Sequence, residues 1–140
     1  MKHPSLLFIS LCLLAGCSSV PPCEPPRDIQ PVVSELHLSV LDDVPFANRQ
    51  REARALRLLE AVGCDRLERQ FVSEQYGHNL ICEINGQRES PILVGAHHDK
   101  YGVSNGIADN WTGVASVVSL AHYFMLNNPG HTMRFELFAG

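Results

Sequence analysis

His97-His98-Asp99 and Asp109-Asn110 bring imidazoles and carboxylates together within a short stretch of chain. Imidazole nitrogen and carboxylate oxygen are the donors that divalent metal ions take from proteins. If the backbone is extended at His97, side chains alternate, so His97 and Asp99 share one side and His98 faces the other. That geometry suits His97 as a metal ligand with Asp99 behind it. A carboxylate accepting the second ring N–H of a ligating histidine fixes its tautomer and strengthens it as a donor. Asp109, returned to the same place by a short loop, is positioned to bridge two metals. The competing structural readings are a hydrogen-bonded histidine at a strand end and an Asp109 or Asn110 that only caps the helix behind it. Each short motif is weakly specific alone; the two together, at topologically matched positions, favour chemistry.

The elements around these residues are those that such a site needs. Pro91 to Ala96 contains the uniformly apolar run Ile92-Leu93-Val94-Gly95-Ala96, which predicts a central strand buried on both faces. His97 then lies just past its C-terminal end, where open α/β sheets place ligand sites. Lys100 to Ala108 reads as a loop. From Thr112 a helix is expected, with Val114, Val117, Val118, Ala121 and Met125 on one stripe and Asn127-Asn128-Pro129-Gly130 as its stop. Thr132 to Phe138 alternates as a strand. Upstream, Leu67 to Val72 and Leu80 to Ile84 read as strands, with Asn85 to Ser90 as a turn leading into the third. Pro45 to Val62 has helical periodicity, with Asp43 as its cap, Pro45 in its first turn and Gly63 as its end. Arg51, Arg54 and Arg57 are read as its solvated face. The fold class is α/β: a mixed central sheet with flanking helices and at least one crossover. No internal repeat is present.

The chain has 140 residues, 45% of them hydrophobic and 19% charged, as in ordinary globular proteins. Lys plus Arg number 11 against 15 Asp plus Glu, and no basic run is interleaved with aromatics, so nucleic acid is excluded as a partner. Lys2, the apolar stretch Leu6 to Leu14, and Ala15-Gly16 form a secretory signal. Its apolar part is shorter than the roughly 20 residues of a permanent membrane span. Leu14-Ala15-Gly16-Cys17 resembles the lipobox of bacterial lipoproteins, which implies acylation of Cys17 and cleavage before it. Buried acyl chains contribute about 0.8 kcal/mol per CH₂, enough with several chains to hold a protein on a membrane. Ser18 in place of Asp favours the outer membrane if the cell has two membranes. The expected organisation is a signal peptide over 1–16, a lipidated, proline-rich tether over 17–31 and a folded part over 32–140. Cys23, Cys64 and Cys82 remain after cleavage and lipidation, allowing at most one internal disulfide, with buried free thiols as the alternative.

Three blocks of the sequence resemble successive blocks of the co-catalytic zinc aminopeptidase family: Val94 to Asp99, Gly106 to Gly113 and Met133 to Gly140. That family includes bacterial leucyl aminopeptidases, aminopeptidase Y, glutamate carboxypeptidases and glutaminyl cyclases. The similarity covers roughly residues 75–140. It implies a zinc-exopeptidase-like fold in which His97 binds one zinc, Asp109 bridges two zinc ions and Asp99 orients His97. The family's next block is a Glu-Glu pair after the last strand, expected past Gly140 together with the remaining ligands. A catalytic zinc normally takes three protein ligands and a water, so His97 and Asp109 make an incomplete set. His78 and His131, in a loop and at a strand start, and His122, inside the helix, are read as structural or exposed; His37 and His98 receive no role. The domain is expected to be truncated, with the strand ending at Phe138 as an apolar edge. The implied activity is removal of N-terminal residues from peptides outside the cytoplasm by a protein anchored to a membrane through Cys17. The alternatives are glutaminyl cyclisation, and a non-catalytic lipoprotein.

Overall fold

Apolar residues at three- and four-residue steps give the first helix, α1 (Asn48–Val62), which buries Ala55, Leu59 and Val62 along one stripe. The computed structural model describes residues 39–140; the signal segment 1–16, the tether 17–31 with Cys17 and Cys23, and His37 lie outside the described residues. Asp43 does not cap α1. It sits in a turn at φ 52°, and the helix begins only after Ala47, whose side chain caps nothing. The expected stop is present: Gly63 adopts φ 79°, and its N–H reaches the Glu60 carbonyl at 3.2 Å. A left-handed residue at this position favours glycine, which has no Cβ to clash.

β1 (Arg66–Ser73) and β2 (Gly77–Ile84) form an antiparallel hairpin with Leu67 opposite Cys82. A disulfide joins Cys64 to Cys82, settling the alternative that composition left open. It ties the chain just after α1 to the middle of β2. β2 pairs antiparallel with β4 (Met133–Phe138), and β4 pairs parallel with β3 (Ile92–His97), giving the order β1-β2-β4-β3. The sheet is mixed, as predicted. The parallel pair is joined by α2 (Thr112–Leu126), the long crossover that parallel strands require.

Two expectations about β3 are corrected. The turn read at Asn85 to Ser90 does not join neighbouring strands, because β4 occupies the slot between β2 and β3. The connection crosses the end of β4, held by Thr132 N–H to Arg88 O at 2.8 Å and Gln87 N–H to Pro129 O at 3.1 Å. Among the described residues β3 has β4 as its one neighbour, and its run of apolar residues is not covered on both faces: Ile92 is 47% and Leu93 56% exposed. Val94 and Ala96, opposite Phe135 and Leu137 of β4, are the residues of β3 that join the core. The strand ending at Phe138, expected as an apolar edge, lies between β2 and β3.

Both helices contribute to one core against the same face of the sheet. Leu59 meets Leu80, Phe135 and Leu137 there, with Trp111, Val114 and Val118, all fully buried. Burying side chains of this size stabilises by about 1.5–3 kcal/mol each. Met125, expected on the inward stripe of α2, is 37% exposed near the helix end. Among the described residues no helix is long and apolar enough to cross a membrane.

The disulfide closes a loop over a sequence separation of 18. Its loss in a Cys64→Ala/Cys82→Ala variant is expected to lower the unfolding free energy by about 3 kcal/mol through the freer unfolded chain. Urea denaturation of the two proteins measures this. Equal midpoints would show that the bridge does not constrain the unfolded state.

Candidate metal centre

Strand alternation decides which histidine faces which way. His97 is the last residue of β3, paired with Phe138, and His98 continues the ladder with its N–H on the Phe138 carbonyl at 2.9 Å. Because Ala96 faces the core, His98 does too. It is fully buried, and its Nε2 lies 3.0 Å from the His78 carbonyl, to which it donates as the neutral tautomer. Burial lowers the pKa of His98, against the opposing pull of that carbonyl, Glu52 and Asp99. His97 turns the other way, towards Asp99 and Asp109. Its Nδ1 is 3.2 Å from Asp99 Oδ1, and its Nε2 is 3.0 Å from Asp109 Oδ1. The side chain of Asp99 is 16% exposed and that of Asp109 88% exposed, so one carboxylate stands behind the ring and the other in front, towards solvent. A recess of about 570 Å³ opens beside them, lined among others by Gly95, His97, Asp99, Asn110 and Phe138.

Asp109 reaches His97 through an irregular turn, Ile107–Trp111, in which Asp109 and Asn110 have non-helical φ/ψ and are joined by a cis peptide bond. The turn starts at Gly106, φ 59°, and closes by Trp111 N–H to Gly106 O at 3.1 Å. The Asn110 side chain accepts the Gly113 N–H at 3.1 Å. The helix-capping alternative is therefore true of Asn110, which leaves Asp109 free to face the imidazole.

Arg51 corrects the reading of the arginine stripe. Arg57 is exposed as expected, and Arg54 donates to the Asp42 and Asp43 carbonyls. Arg51, however, is fully buried. Its Nε donates to His98 O at 2.6 Å, its Nη2 to Gly106 O at 2.9 Å and its Nη1 to Asn105 O at 3.2 Å. Desolvation lowers its pKa, and the charge of Asp99 opposes that shift. The signal for this role was in the spacing, since positions 51, 55, 59 and 62 form one helical stripe and the last three are apolar.

The other histidines are engaged elsewhere. His78 lies in β2, not in a loop, with Nδ1 2.9 Å from Glu52 Oε1, which also takes Arg69 at 2.8 Å. This cluster lies in a separate groove of about 420 Å³ between α1 and the hairpin, and its charges are satisfied among themselves. His131 precedes β4, at the opposite end of the strand from Phe138, and contacts Ser90 Oγ at 3.0 Å. His122 lies within α2, as read from the sequence.

The donor set fits a divalent metal in part. A neutral imidazole has one N–H to give. With Nδ1–H directed at Asp99, Nε2 turns a lone pair towards an anionic oxygen 3.0 Å away. That pairing is repulsive unless a cation or a second proton lies between the two atoms. Two donors sharing one tetrahedral zinc at ordinary bond lengths would stand about 3.3 Å apart, close to the separation found. Among the described residues no group of three or more His, Cys, Asp or Glu gathers to hold a metal, so these two donors are a partial set.

Residues 79–140, which hold all three of these side chains, match the model of Peptidase family M28. A vacuolar membrane protease of Clavispora lusitaniae is 37% identical over 68 residues, 46% of this chain and 7% of that protein. A leucine aminopeptidase precursor from Bacteroides thetaiotaomicron superposes with TM-score 0.57 at 17% identity, over 73% of this chain and 44% of that one. The Tannerella forsythia glutaminyl cyclase gives 0.55 at 16%, over 74% and 44%. At these identities the structural likeness is one of fold. The chain spans 7% of the length of the curated relative and 44% of the two solved chains.

Proposed function

We propose that the whole protein is a zinc-dependent exopeptidase, an aminopeptidase acting on peptides outside the cytoplasm, and that this chain supplies the first part of its metal centre. The supporting observation is His97 set between two carboxylates, Asp99 at Nδ1 and Asp109 at Nε2, within the segment matching a peptidase family. His97 and Asp109 are the residues of this chain that would hold zinc, Asp109 being shared between two ions in this reading. Zinc supplies Lewis acidity and brings the pKa of a bound water to about 7. Asp99 keeps the Nδ1 proton in place, so that the lone pair of Nε2 points outwards. Phe138 and Gly95 give the recess an apolar wall beside these polar groups, and its size admits the first residue of a peptide.

The fold likeness to a glutaminyl cyclase supports a second reading, intramolecular acyl transfer with one zinc. Zinc content of the full-length protein separates them: two ions per chain for the aminopeptidase, one for the cyclase. The expected organisation, with a signal over 1–16, a tether over 17–31 and the peptidase part from 32, places the protein on a bacterial membrane through acylated Cys17.

In the full-length protein His97→Ala is expected to lose zinc and abolish aminopeptidase turnover; metal analysis and hydrolysis of an aminoacyl chromogenic substrate read both. Unchanged zinc and turnover would remove His97 from the site. Asp99→Asn should keep most of the metal and lower activity about 10 to 100-fold, the usual range for a partner behind a metal ligand. An effect no larger than that of a surface substitution would sink the orienting role. Cys17→Ser should move the protein from the membrane to the soluble fraction. Continued membrane association would overturn the lipid anchor.

A further inference from the structure

Arg51 occupies a position on α1 that the pattern of Ala55, Leu59 and Val62 would give to an apolar residue. A buried guanidinium is tolerated only when its donors find acceptors. Here the acceptors are all main-chain carbonyls: Nε on His98 O, Nη2 on Gly106 O, and Nη1 on Asn105 O, with Pro45 O at 3.4 Å. Among the described residues no carboxylate within hydrogen-bonding distance takes the charge, and the Trp111 ring stands 4.7 Å from Cζ. The placement of these groups along the chain is informative. His98 directly follows His97, and Asn105-Gly106 and Trp111 flank Asp109. One rigid planar group is thus bonded to both stems of the loop between the two metal donors. Lysine could not do the same, since its donors radiate from a single atom at the end of a flexible stem.

We propose that Arg51 is the positioning residue of the metal centre, clamping both stems of the 99–106 loop and thereby setting the separation of His97 from Asp109. The proposal rests on the reading of those two residues as zinc ligands. A displacement of about 1 Å between such groups is enough to cost two orders of magnitude in rate.

The test measures zinc affinity of the apo full-length protein by competition with a chromophoric chelator, with urea denaturation in parallel. Arg51→Lys is expected to weaken zinc binding by about tenfold or more, as partners behind metal ligands do, with kcat falling more than KM rises. The Cys64→Ala/Cys82→Ala variant is destabilised without touching the loop and should keep the wild-type zinc affinity, so lost stability alone does not explain the effect. If Arg51→Lys does not fold, Gly106→Ala decides. Gly106 is at φ 59°, and a Cβ there would lie 2.7 Å from Lys100 Cβ and 3.2 Å from Arg51 Nη1, pushing one stem while the guanidinium stays. The same loss of affinity is expected. Zinc affinity within about twofold of wild type in the variant that folds, well short of what an outer partner contributes, overturns the clamp. If zinc affinity is lost in His97→Ala but kept in Arg51→Lys, only the clamp falls. If it is kept in His97→Ala, the metal-centre reading falls and the clamp with it.

Discussion

A guanidinium taken out of water must spend its N–H groups on the protein, and the way Arg51 does so organises the end of the sheet. Its acceptors are carbonyls of two chain segments, the exit of β3 and the entry to α2. A leucine in its place would leave the His98 and Gly106 carbonyls buried without these donors, each at a cost of about 1–3 kcal/mol. The polar group is therefore retained for the geometry it imposes on the backbone. Trp111 extends that order outwards: its ring faces the guanidinium and its indole N–H reaches the Val40 carbonyl at 2.8 Å.

Strand parity supplies the second constraint. The alternation that buries Val94 and Ala96 must send His98 inwards after them and His97 outwards. Neighbouring histidines of the same chemistry thereby acquire opposite environments. His98 is held neutral by burial and serves β2 through the His78 carbonyl, whereas His97 is presented to two carboxylates. The same division of labour separates Asp109 from Asn110. Asn110 turns its oxygen back to the helix N-terminus, and Asp109 turns its own towards the ring.

Much of this was legible in the sequence, because it follows from short periods. The alternation at His97 and Asp99, the helix stops at Gly63 and Asn127, and the mixed α/β class all depend on local pattern, which the structure preserves. What was not legible depends on order in space. Apolar residues in β3 do not say which strand lies beside it, and the placing of β4 between β2 and β3 follows from the crossover through α2. A connection of turn-forming residues, Asn85 to Ser90, likewise does not announce whether its strands are neighbours. Arg51 was misread for a different reason: charge was given more weight than its place on the buried stripe, and its acceptors lie 47 to 55 residues away along the chain.

The boundaries of the family match sharpen this point. The match begins at residue 79 and contains His97, Asp99 and Asp109, yet Arg51, the α1 stripe and Cys64 lie before it. A motif specifies which atoms can bind a metal. It does not specify their separation, which depends on two backbone segments meeting at a fixed distance. Here that distance is maintained by a helix outside the match, whose Glu52 is paired with His78 and Arg69 of the hairpin. Sequences that share the motif can therefore differ in how firmly the two donors are held. The difference has to be sought in what replaces Arg51, a buried position that the motif does not include.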